Sequence, residues 1–136
     1  MDIKALGYFV AQTDDLNKWQ HYAEQVLGMS THPAPSGGLY IKMDERPFRM
    51  LIIEGSERRY IASGWELASK GAFDAAIETL TEHQVAWEIA SDEQCTQRGV
   101  QELVTFQDPA GNTHEVYWGF SYPFALFKGD KQRAKA

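Results

Sequence analysis

Bulky and aromatic residues crowd the segment IKALGYFVAQ, residues 3–12, and the TDD that follows supplies carboxylates suited to capping a helix N-terminus. The pattern reads as a strand leading into a helix. In LNKWQHYAEQVLG the apolar residues Leu16, Trp19, Tyr22, Ala23, Val26 and Leu27 recur at the three-and-four spacing of one helix face, and Gly28 stands where a left-handed cap is wanted. THPAPSGG, with its prolines and glycines, reads as a loop. LYIKM and FRMLIIEG then read as two strands of a hairpin separated by the turn-like DERP.

The same order recurs downstream. YIASGWEL is a strand pattern, and SKGAFDAAIETLTEHQV is a helix pattern in which Phe73, Ala76, Ile77 and Leu80 share a face behind a Ser69 cap. VAWEIA is strand-like, DEQCTQRG reads as a polar connection, and ELVTFQ and THEVYWG form two further strands joined by DPAGN. Aligning Gly7 with Gly64 brings Leu16 onto Phe73, so the repeat is plain in element order and weak in identity. The expectation is an α+β domain over 1–122 made of two βαβββ modules, about 1–57 and 58–122, with a basic, solvated tail at 123–136.

Composition narrows the partners. A chain of 136 residues with 43% hydrophobic and 12% aromatic residues has the material for one real core. A formal charge of -6 and a pI near 5.1 disfavour nucleic acid and anionic membranes, because both repel an acidic surface. The single cysteine, Cys95, allows no intramolecular disulfide and no thiolate zinc site, which fits a reducing cytoplasm. The N-terminal segment matches neither a signal peptide nor a membrane span.

The chemistry centres on QDPAGNTHEVYWG, residues 107–119. Pro109 and Gly111 suit a tight turn, with Asp108 accepting from turn amides. Strand alternation puts Thr113, Glu115 and Tyr117 on one face and His114, Val116 and Trp118 on the other, so His114 and Glu115 cannot clasp one ion. Glu115 faces inward and needs hydrogen-bond partners, water or a cation. Tyr8 and Tyr117 are the aromatics best placed to line a pocket for a planar ligand, each with a hydroxyl that needs a partner when buried. His21 and His83 read as helix-surface residues and His32 as a loop residue, and no phosphate-cradling glycine loop or serine-nucleophile turn is present.

ALGYFVAQTDDLNKWQHYAEQVLGM, followed about ninety residues later by FQDPAGNTHEVYWG, resembles the N-terminal domain of the type I extradiol ring-cleavage dioxygenases, in the vicinal oxygen chelate superfamily. The resemblance implies paired βαβββ modules forming a curved mixed sheet with helices outside. It also implies that the family's Fe(II) belongs to a second, C-terminal domain. The superfamily's metal positions fall at Tyr8, Leu51, Ala62 and Glu115, and of the two histidines and one carboxylate that iron needs, only Glu115 is matched. The expectation is a vestigial metal residue, no cofactor in this chain, and a role in aromatic-compound catabolism beside a catalytic domain or subunit.

Two other readings remain open at this stage. One is a self-sufficient metal-dependent dioxygenase assembled as a homodimer, with histidines contributed across the interface. The other is a metal-free module binding a small aromatic ligand between Tyr8 and Tyr117.

Overall fold

The computed structural model describes residues 1–35 and 37–120. The tail assigned to 123–136 lies outside them. Eight strands form one mixed sheet: β1 (Ile3–Thr13), β2 (Ser30–Pro33), β3 (Leu39–Lys42), β4 (Met50–Glu54), β5 (Arg59–Leu67), β6 (Trp87–Ile89), β7 (Val100–Gln107) and β8 (Thr113–Phe120). Their spatial order is β2-β3-β4-β1-β5-β8-β7-β6. Each half thus repeats the other about a central antiparallel seam, β1 against β5, with β1 parallel to β4 and β5 parallel to β8.

Two helical segments cover the outer face. The first starts as α1 (Leu16–His21), capped by the Asp15 side chain on the Lys18 amide, and continues through Tyr22–Leu27 as a π-helix ending at Gly28 with φ 72°. The wider π turn changes which residues face the sheet. Ala23 is buried with Leu39, Ile41, Met50 and Ile52, whereas Tyr22, Val26 and Leu27 are exposed, so the single apolar face read from the sequence holds only for the α-helical turn and Ala23. α2 (Lys70–Glu82) is a regular helix capped by Ser69, and it buries Phe73, Ala76 and Leu80 against Leu67, Val104 and Val116.

Two further segments differ from the sequence reading. The first part of THPAPSGG is not loop: Ser30–Pro33 pairs antiparallel with β3 as an edge strand, and an edge is where a strand tolerates proline. DEQCTQRG is not a mere connection either. Asp92–Arg98 is a helix, α3, opened by a reciprocal capping box between Ser91 and Gln94 and closed by Gly99 at φ 69°. No described helix is long and apolar enough to cross a membrane.

The sheet is curved, and α3 shows how far. β3 and β7 are five strand spacings apart, ~24 Å in a flat sheet. Yet the Tyr40 hydroxyl on β3 donates to the Gln97 carbonyl just ahead of β7 at 2.5 Å, and Gln97 Nε2 donates to the Gly37 carbonyl at 3.2 Å. The inner face therefore folds into a cup, and α3 lies across it.

Candidate functional site

The cup is lined by residues from the inner faces of both halves. Tyr8, Val10, Tyr40, Phe48, Leu51, Leu103 and Tyr117 form its buried cluster, with Ala90 and Cys95 packed against it from the α3 side. Ring stacking is dense: Tyr40 lies on Phe48 at 4.2 Å and 3°, and Tyr8 on Tyr117 at 5.3 Å and 21°.

Two glycines make this packing possible. Tyr8 on β1 is opposite Gly64 on β5, which in turn is beside Glu115 on β8. A Cβ at Gly64 would stand 2.3 Å from the Tyr8 ring, so the missing side chain is the gap through which Tyr8 reaches across β5 to Glu115. Tyr117 is treated likewise by the other half: a Cβ at Gly7 would stand 1.9 Å from its hydroxyl. The two tyrosines interlock the halves reciprocally.

Glu115 is 3% exposed and fully engaged. Its Oε1 accepts from the Tyr8 hydroxyl at 2.5 Å and from Arg98 Nε at 3.1 Å, while Oε2 accepts from Arg98 Nη2 at 2.8 Å. Arg98, itself 5% exposed, also donates to the Gln97 side chain. The Glu115–Arg98 contact is a two-pronged ion pair in a buried setting, where each charge needs the other. Burial, then the neighbouring Glu115 charge, pushes the Tyr8 hydroxyl well above the ordinary tyrosine range, so it stays a proton donor. Burial also raises Tyr117, whose hydroxyl lies near Arg46 but has no hydrogen-bond partner within normal distance among the described residues.

The residues at the metal positions do not fit a metal. Ala62 and Leu51 are buried and carry no donor atom, Tyr8 is committed to Glu115, and Glu115 already holds a cation. Among the described residues, no group of three or more His, Cys, Asp or Glu could hold a metal ion. The histidines lie elsewhere. His21 is exposed on α1, His83 ends α2 with Nδ1 against the Thr79 carbonyl, and His32 lies in β2, with burial and then Lys42 lowering its pKa.

His114 serves the turn. Its Nδ1 accepts from Trp65 Nε1 at 2.9 Å, which leaves Nε2 to donate to Asp108 at 2.9 Å. Asp108 also accepts from the Ala110 and Asn112 amides. With His114 as the largest cause, these bonds bring Asp108 down to about 2. Two open grooves among the described residues lie away from Tyr8 and Tyr117. One of about 460 Å³ is walled by Val85, Trp87 and Phe106, and another of about 270 Å³ by Trp19 and Tyr22, while Tyr8 and Tyr117 are buried at 1% and 0% exposure.

Sequence reasoning missed Arg98 and α3. The signal was present in Ser91-x-x-Gln94 followed by Gly99, a helix start and stop around DEQCTQR. The inward aim of Arg98 had no local signal.

A family model described as dihydroxybiphenyl dioxygenase BphC D1 matches residues 6–55. The chain is 36% identical over 120 residues to an iron-dependent extradiol dioxygenase of Rhodococcus jostii (strain RHA1), covering 88% of this chain and 40% of that protein. A crystal structure of catechol 2,3-dioxygenase superposes with a TM-score of 0.81 at 28% identity, over 88% of this chain and 42% of that one. In sequence and fold this chain is similar to the N-terminal half of the type I extradiol dioxygenases. Its fold is that of the vicinal oxygen chelate proteins. The chain is also 31% identical to the 3-methylcatechol 2,3-dioxygenase of Pseudomonas putida (strain F1), over 92% of this chain and 44% of that protein. It spans about 40% of the length of the relatives it matches.

Proposed function

We propose that this chain is the non-catalytic half of an aromatic ring-cleavage dioxygenase, a scaffold for a catalytic domain or subunit that holds the family's Fe(II). The observation that carries the reading is the state of Glu115. The one family-type metal residue is saturated by Arg98 and Tyr8 inside a cup filled with aromatic side chains. Open coordination positions for a catechol and dioxygen need an unfilled cavity and free donors, and this interior supplies neither.

The protein alone, incubated with Fe(II) and desalted, is expected to retain no stoichiometric iron. It is also expected to consume no oxygen with catechol or 2,3-dihydroxybiphenyl. Stoichiometric iron together with ring cleavage would falsify the reading. A second copy of the chain is a further proposed partner, favoured by the exposed edge strand β6 with Trp87 at 36% and Ile89 at 52% exposure. Light scattering on the purified chain decides between dimer and monomer. The reducing cytoplasm expected from the lone Cys95 belongs to the same proposal.

A further inference from the structure

Among the described residues α3 is the one helix on the inner side of the sheet, and it delivers a full positive charge to the centre of the cup. The Arg98 and Glu115 side chains are 6% and 4% exposed, and both carboxylate oxygens of Glu115 receive guanidinium N–H bonds. The third member, Tyr8, reaches the same carboxylate across Gly64.

We propose that Arg98 is a metal-excluding cation, a charge supplied by the polypeptide that occupies the place beside Glu115 where a divalent ion would have to sit. The inference rests on the non-catalytic reading and adds the cause of the exclusion. A guanidinium cannot be deprotonated to make way for a metal, and its five donors satisfy a carboxylate without an open coordination position. A divalent ion ligated by Glu115 would meet this charge at close range in a poorly screened interior, where like charges repel strongly. The Gln97 side chain and the Tyr40–Gln97 and Gln97–Gly37 bonds hold α3, and so the cation, in position. On this view, missing histidines are only half of why the cup takes no metal. Restoring them is not sufficient while Arg98 remains.

The test uses cobalt(II) alone as probe, with the full chain. Tyr8→His/Ala62→His, which returns two imidazoles to β1 and β5, is expected to retain no cobalt after desalting. The same variant carrying Arg98→Ala is expected to retain about one equivalent, with visible d–d absorption. Stoichiometric cobalt in the variant that keeps Arg98, or none in a folded variant that lacks it, overturns the proposal. Cobalt in the unsubstituted chain would instead overturn the non-catalytic reading itself.

Should the triple variant lack the circular dichroism of the parent, the decision passes to Arg98→Met alone and combined with Glu115→Gln. A cation needed for its charge is missed only while the carboxylate is present, so the single variant is expected to lose denaturation midpoint and the double variant to regain most of it. Equal losses in both would mean that Arg98 acts by packing, which overturns the proposal.

Discussion

Two stacked tyrosines in one cluster have opposite energetic roles. The Tyr8 hydroxyl donates to a buried carboxylate, a bond whose removal costs about 1.5–3 kcal/mol, so Tyr8→Phe is expected to lower stability by that order in guanidinium titrations. The Tyr117 hydroxyl has no hydrogen-bond partner among the described residues, so Tyr117→Phe is expected to be neutral or stabilising. Gly7 supplies the cross-check. A Cβ there meets the Tyr117 oxygen first, at 1.9 Å, so Gly7→Ala is expected to cost about 1–3 kcal/mol and to be partly rescued by Tyr117→Phe. Failure of the rescue would show that the glycine is needed for backbone geometry instead. Arg98→Met leaves the Glu115 charge buried and unpaired, for which about 3–5 kcal/mol is expected.

At the scale of elements, α3 and the 108–112 turn carry most of the local design. α3 has only seven residues, too few to persist without its caps, so Ser91→Ala is expected to cost about 1 kcal/mol. The same substitution should loosen the helix over the cup and speed labelling of Cys95, whose thiol is half-buried and pushed up by that burial. Unchanged labelling would mean that the Arg98–Glu115 pair alone holds α3 down. The turn predicts a pH effect. The Asp108 carboxyl is held at about 2 by its bond to His114 and by turn amides, below the ~3.9 of an unfolded chain. A lowered folded pKa adds stability that is present above about pH 4 and is lost as pH falls toward 2. His114→Phe removes the largest cause, so NMR titration should find Asp108 moved up toward the ordinary aspartate range.

The strands and α2 were legible because their cores have simple periods. Phe73, Ala76 and Leu80 repeat along one helix face, and Glu115 and Tyr117 alternate with Val116 and Trp118 between two distinct clusters. β2 was not legible, because it pairs with β3 at the edge of the described sheet, and that edge position, which tolerates its proline, is a fact of sheet order. The π turn at Tyr22–Leu27 was hidden for a related reason: spacing reads residues at a fixed pitch, and the chain changes pitch there. In the site, strand position singled out Tyr8, Glu115 and Tyr117 as inward-facing, while Arg98 was lost in a segment whose polar composition concealed a helix.

At the scale of the whole molecule, the two halves are joined as one cooperative body. β1 and β5 pair at the centre of the sheet, Tyr8 and Tyr117 each pack over a glycine of the other half, and Tyr40 and Gln97 bridge the mouth of the cup. A single unfolding transition is expected, with fluorescence and circular dichroism superimposing. Two transitions would show that each half is stable alone.

The amino-acid sequence by itself determined the order of the longer strands and helices, the N-cap of α2 and the inward aim of Glu115, because each follows from neighbours a few residues away or from strand alternation. Tertiary structure alone decided what Glu115 meets. Sheet curvature brings α3 over the inner face, Gly64 lets Tyr8 through, and Arg98 arrives from seventeen residues upstream to complete the charge. A buried carboxylate is defined by its partners, and those partners are fixed by how the sheet closes.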